Sequence, residues 1–106
     1  MVEWLIYVKT HRAGNGDVVA ICDEGLIGRV LEDGDISIDL KSYADFYKGD
    51  LIPAKDLSSV VIMETVASAN VVGREAVKAA VETGIINKGN VKTVSGIPYA
   101  HAYRVD

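Results

Sequence analysis

The alternation of apolar and polar positions divides the chain into strand-like stretches at both ends and a helix-like stretch between them. Along residues 2–9, Val2, Trp4, Ile6 and Val8 fall on one side of an extended backbone and Leu5 and Tyr7 on the other. Apolar residues on both sides predict a strand in the middle of a sheet. The polar, glycine-bearing segment His11 to Asp17 predicts a turn, and the β-branched run Val18 to Cys22 predicts the returning strand of a hairpin. Asp23, Glu24 and Gly25 interrupt it. Leu26 to Leu31 is apolar again, and Asp33-Gly34 is a hairpin-turn signal. Ile36, Ile38 and Leu40 then alternate with Ser37, Asp39 and Lys41, the pattern of a half-buried strand. The first 41 residues thus predict a four-stranded antiparallel meander.

Ser42 to Pro53 carries no clear period; Tyr43, Phe46 and Tyr47 are expected to close one end of the core from a loop or a helical turn. From Ala54 the spacing changes. Leu57, Val60, Met63, Ala67 and Val71 step by three and four, and Ile62, Val66 and Ala69 form a second stripe, which predicts a buried helix over about 54–69. The run Val60-Val61-Ile62 is also compatible with a strand, but the length of the periodic stretch favours the helix. Asn70 is a suitable N-cap for a second helix over about 71–83. There Ala76, Val77, Ala80 and Val81 face in, and Arg74, Glu75, Lys78 and Glu82 face out. Gly84 is placed to end it in the left-handed conformation, with Ile85 packing back on the last turn. Val91 to Val94, the turn Ser95-Gly96, and Ile97 to Val105 complete the chain as a hairpin. The expected fold is a small single α+β domain spanning residues 1–106: an N-terminal antiparallel β-meander, two helices and a C-terminal β-hairpin.

Charge and composition narrow the classes. The 106 residues are 49% hydrophobic and 25% charged, enough to bury a core without disulfides or metal. Residues 1–53 hold five Lys/Arg against ten Asp/Glu; residues 54–106 hold six against five. A net charge of −4 lacks the general basic footprint of a nucleic-acid binder, although a local patch can act against the net sign. The start lacks the basic flank of a secretion signal, and the longest apolar runs, Trp4 to Val8 and Val18 to Cys22, are far short of a membrane span. One cysteine, Cys22, excludes an intrachain disulfide and fits a reducing cytoplasm.

Few residues carry chemistry. Cys22 could act as a nucleophile with His11 or His101, but it lies in an apolar strand, where a free thiol behaves as a small hydrophobe. Asp33, Asp35 and Asp39, with Asp23 and Glu24, could meet a hard cation; Ile38 and Ala44 stand where an EF-hand loop needs glycine and glutamate, so a solvated strand face is favoured. Gly25-Leu26-Ile27-Gly28 has the form of a backbone-clamping loop, yet lacks a basic centre and helical flanks, which favours a turn. No catalytic, cofactor or metal residues are assigned, and no enzyme is expected. The last strand is the most informative. At a period of two, Tyr99, His101 and Tyr103 share a face with Ile97 and Val105, and Arg104 lies opposite. Such a row could pack in the core, form an interface, or stack unpaired bases.

Five segments carry a family likeness: Val8-Lys9-Thr10-His11-Arg12; Cys22-Asp23-Glu24 with Leu26-Ile27-Gly28-Arg29; Phe46-Tyr47-Lys48-Gly49; Ala69-Asn70-Val71-Val72-Gly73-Arg74-Glu75-Ala76-Val77; and Gly96-Ile97-Pro98-Tyr99-Ala100-His101. Through them the chain resembles the archaeal proteins grouped as domain of unknown function 424. The Ala-Asn-x-x-Gly segment and the late Gly-x-Pro segment are the most specific. Members more often carry His and Gln where this chain has Tyr99 and His101, which puts a histidine role at position 99 in doubt. The resemblance implies a small cytoplasmic protein of archaeal type, with an RNA-binding or translation-associated label and no established activity. The expected function is an RNA-associated accessory domain; the alternative is a non-enzymatic protein–protein adaptor or homodimer using the C-terminal aromatic strand. Lys9, His11, Arg12, Lys92, Tyr99, His101, Tyr103 and Arg104 are the candidate RNA- or partner-binding residues, the cations as phosphate contacts and the rings as stacking surfaces.

Overall fold

A computed structural model describes residues 3–103. Its centre is a six-stranded sheet. The strands are β1 (Leu5–Ala13), β2 (Gly16–Asp23), β5 (Asp50–Pro53), β6 (Val66–Val72), β7 (Lys92–Val94) and β8 (Ile97–Tyr103), in the order β5-β1-β2-β6-β8-β7. A separate two-stranded hairpin, β3 (Val30–Asp33) with β4 (Ile36–Asp39), packs on one face. The helices are α1 (Ala44–Tyr47), α2 (Leu57–Val60) and α3 (Arg74–Thr83). The α+β class stands as expected.

β1 and β2 form the predicted hairpin, but the turn is tighter than the sequence suggests. Ala13 pairs with Gly16, so Gly14-Asn15 alone makes the connection, and His11, Arg12 and Asp17 are strand residues. The meander does not form: β3 and β4 pair only with each other. Their register, Leu31 with Ile38 and Asp33 with Ile36, makes Gly34-Asp35 the turn. Leu31 and Leu40 are buried, and Ile38 packs beside them. That apolar side covers part of the large sheet rather than extending it.

The helix expected over 54–69 is replaced by four short elements. A 3-10 turn (Ala54–Asp56) leads into the single turn of α2, a second 3-10 turn (Met63–Thr65) follows, and Val66–Val72 is β6. The β-branched residues Val60, Val61, Val66, Val71 and Val72 prefer extended backbone. β6 also lies between β2, which it pairs in parallel, and β8, which it pairs antiparallel. Ala69 and Val71 are buried on one face while Ser68 and Asn70 alternate with them on the other, a period of two too short to stand out against the longer spacing of three and four. Asn70, expected to cap a helix, sits in mid-strand opposite Ala20 and His101. β5, an edge strand of four residues ending in Pro53, has no counterpart in the sequence reading.

The second helix is α3, starting at Arg74. Gly73 precedes it at φ +113°, and a side chain there would collide with the Asp23 carboxyl. That carboxyl does the capping: Asp23 Oδ1 accepts from the Ala76 N–H at 2.7 Å and Oδ2 from the Glu75 N–H at 3.3 Å. A carboxylate at a helix N-terminus satisfies donors that the helix leaves open. Burial nonetheless raises the Asp23 pKa above its ordinary range, outweighing the N–H donors that favour the ionised form. Gly84 ends α3 at φ +85°, as expected, and the Ile85 N–H reaches back to Ala80 O.

Two cores result, one on each side of the sheet. On the helix face, Ile6, Val8, Val19, Ile21, Ala69, Val71 and Ala100 pack with Ala76, Val77 and Ala80 of α3, and with Leu57, Val61 and Ile86. On the hairpin face, Ala20, Cys22, Val72 and Val94 pack under Leu26, Leu31, Leu40 and Tyr47, with Ile97 and Tyr99 alongside. The second core covers only part of its face.

Candidate functional site

The hairpin face reads as three rows of side chains running across the strands. The first is Leu51, Tyr7, Cys22, Val72, Tyr99 and Lys92. The second is Lys9, Ala20, Asn70 and His101. The third is His11, Val18, Ser68 and Tyr103. The hairpin and α1 cover the first row and reach Ala20 in the second. The remainder forms a platform four strands wide, bordered over β1 by α1 and open over β6 and β8. With strand spacings near 4.8 Å, His11 and Tyr103 lie about 14 Å apart across it.

No Asp or Glu occupies a hairpin-face position in any of the six strands, although the chain is acidic overall. At one side of the platform, the His11 ring stacks on Phe46, with centroids 4.5 Å apart and planes at 10°. His11 Nε2 also lies 2.8 Å from Phe46 O. Lys9 Nζ donates to Asp45 O at 2.6 Å. Both side chains are thereby held by α1. At the other side, the His101 and Tyr103 rings sit 4.5 Å apart and both residues are exposed. Between them lies Asn70, partly buried, whose amide meets no hydrogen-bonding partner among the described residues.

The candidate residues therefore separate. Lys9, His11, Lys92, Tyr99, His101 and Tyr103 share the hairpin face. Arg12 does not. It follows His11 by one residue, so it points to the helix face, where its guanidinium lies 3.7 Å from the Asp17 carboxylate. Tyr99 is half-buried against the second core, which removes it as a stacking surface. Lys92 is exposed but stands at the covered end, opposite Tyr99. Arg104 lies outside the described residues. Ser68 and Asn70 at the platform's centre were not in the sequence reading as site residues. Asn70 was visible in the Ala-Asn-x-x-Gly segment, but a helix N-cap explained it there.

The other candidate chemistry disperses. Cys22 is fully buried, and burial, helped by the Asp23 charge, pushes its thiol up to about 12. By strand register His11 is about 14 Å from it and His101 about 12 Å, so no nucleophile–base pair exists there. Asp39 accepts from the Lys41 and Ser42 N–H groups, and Asp33 from the Ser95 N–H. Among the described residues no group of three or more His, Cys, Asp or Glu side chains is placed to hold a metal. Gly25 and Gly28 belong to a turn that docks on β4, the Gly28 N–H donating to Leu40 O at 2.9 Å. No helix among the described residues is long and apolar enough to cross a membrane.

The crystal structure of an uncharacterized conserved protein from Methanopyrus kandleri has the same fold. It superposes with a TM-score of 0.74 at 23% identity, covering 93% of this chain and 90% of that one. No curated protein matches the chain. The model of the family described as protein of unknown function, DUF424, matches residues 10–105, from the end of β1 through β8, and the chain belongs to that family.

Proposed function

We propose that the open platform binds single-stranded RNA, with His101 and Tyr103 as stacking surfaces and Lys9 as a phosphate contact. The observation that carries this reading is the composition of the hairpin face. Among the described residues, an acidic chain keeps Asp and Glu off the strand positions of one face of its sheet and sets rings and an unpartnered amide on the uncovered part, with Lys9 at its border. RNA-recognition sheets use the same elements, stacking two or three bases on aromatic side chains of a four-stranded face. Asn70, with a donor and an acceptor free toward the platform, suits a base edge better than a phosphate. Affinity would come from stacking more than from charge. With Lys9 as the platform's lysine, the slope of log K against log salt should be about −0.7 for one phosphate contact.

Fluorescence anisotropy with labelled single-stranded RNA at 50 and 150 mM salt tests this. Tyr103→Ala and His101→Ala should each weaken binding about tenfold or more, since a stacked base is worth about 1–3 kcal/mol. Tyr99→Ala is unsuitable, because Tyr99 supports the second core. Absence of binding at low salt, or binding unchanged in both variants, overturns the reading.

A further inference from the structure

We infer that two copies of this chain associate through the open outer edge of β8 at residues 101–103, continuing the sheet from one copy into the other about a two-fold axis at Ala102. This does not rest on RNA binding.

The backbone directions of β8 lead to the inference. β7 pairs only with Ile97, Pro98 and Tyr99, and the 3-10 turn Lys88–Asn90 and Val91 that lead into it also approach β8, so among the described residues no strand pairs the outer edge of β8 at His101 to Tyr103. The Gly73 N–H donates to Pro98 O at 2.9 Å, which turns the polar groups of Pro98 toward β6. Successive residues of a strand aim these groups to alternate sides. Pro98, Ala100 and Ala102 therefore bond toward β6, Ile97 and Tyr99 toward β7, and His101 and Tyr103 outward. Each of these last two presents an N–H and C=O that no strand among the described residues pairs.

That edge is complementary to itself. In an antiparallel pairing centred on Ala102, His101 of one copy faces Tyr103 of the other, and both pairs can exchange two N–H···O=C bonds. Ala102 then meets its own copy in the non-bonded position, where side chains come closest and alanine fits. A register centred on His101 would need Tyr99 to pair, but Lys92 already occupies that position. Charge does not oppose the match: a histidine meets a tyrosine, and no like charges face each other. The stretch also lacks the usual guards of a sheet edge, such as proline, lysine or a bulge. The opposite edge carries them. β5 is four residues long and ends in Pro53, and beyond it Lys9 and α1 shield β1. The joined sheet would carry both platforms on one side, eight strands and about 34 Å across.

Light scattering from about 1 µM to 1 mM protein tests this directly. A dimer is expected. Tyr103→Pro removes an outward N–H and leaves the β6 ladder intact, so it should weaken dimerisation at least about tenfold while the circular dichroism spectrum is retained. Ala102→Cys should give a covalent dimer on oxidation, because non-bonded antiparallel Cα atoms near 4.5 Å lie within disulfide reach. Buried Cys22 should keep the unsubstituted chain silent in that assay. A monomer at 1 mM overturns the inference. So does a dimer that ignores Tyr103→Pro and does not cross-link through Ala102→Cys.

Discussion

The two halves of the hairpin face are built on the same strands, two residues apart along each, yet differ in almost every side chain. The covered half presents Tyr7, Cys22, Val72 and Tyr99; the open half presents Lys9, His11, Ser68, Asn70, His101 and Tyr103. Backbone pairing is continuous through both, so hydrogen bonding does not account for the change. The covering does. Leu31, Leu40 and Tyr47 exclude water from one half, and nothing among the described residues lies over the outer rings of the other. A strand that runs past its cover needs residues that tolerate water, and those are the residues able to meet a ligand.

The largest test of this contrast is stability. Leu40→Ala, at a fully buried position under the hairpin, should cost about 3 kcal/mol in urea unfolding through lost burial and the cavity left behind. Tyr103→Ala, at a residue 69% exposed, should cost less than about 0.5 kcal/mol in dilute protein. Comparable losses at the two sites would mean that the open half is buried after all.

Alkaline pH probes the covered half alone. Burial pushes the Cys22 thiol from 9.0 to about 12 and the Tyr47 hydroxyl from 10.0 to about 12. In each case the folded state holds a proton that the unfolded chain releases earlier. The unfolded state therefore binds fewer protons between about pH 9 and 12, and stability falls as pH rises through that window. Urea midpoints measured from pH 8 to 11 should decline, and the decline should flatten in Cys22→Ala/Tyr47→Phe. A thiol reagent at pH 8 should label Cys22 in the native protein at least about a hundredfold more slowly than in urea, because the thiolate is scarce and the sulfur enclosed. Fast native labelling would place Cys22 near solvent and shrink the covered half.

The same contrast explains how much could be read from the sequence. α3 and both small hairpins were legible because turn and capping signals agreed with the period: Asp33-Gly34, Ser95-Gly96, and Gly84 after Val81. β1 and β2 were legible as far as their cover extends. Beyond it, His11, Arg12 and Asp17 look like a turn, since polarity in a strand's exposed end and in a loop is the same signal. The open part of the face is thus the part hardest to read from the sequence. β6 failed for a different reason. Its alternation, Ser68 and Asn70 against Ala69 and Val71, is short, and Val60, Met63, Ala67 and Val71 fell by chance on a longer helical spacing. Parallel pairing of β2 with β6 across more than forty residues leaves no local trace. Of the site, the row His101–Tyr103 was visible from period two, whereas its partners Lys9 and His11 became neighbours only through β2 and β6.

The finest test separates the two sides of β1. Lys9, partly buried, and Arg12, exposed, are cations on one strand, three residues apart, and composition alone treats them alike. The pleat sends Lys9 to the platform and Arg12 to the other face, beside Asp17. Lys9→Ala should weaken RNA binding severalfold and lower the salt slope by about 0.7, the loss of one phosphate contact to a single strand. Arg12→Ala should change affinity less than about twofold and stability by less than about 1 kcal/mol, since the Arg12 end of the pair is exposed and buried Asp17 keeps the Thr65 hydroxyl as a donor. Equal effects from the two would show that charge on β1 acts at long range and that the platform does not define the binding surface. A larger effect from Arg12 would move that surface to the opposite side of the sheet.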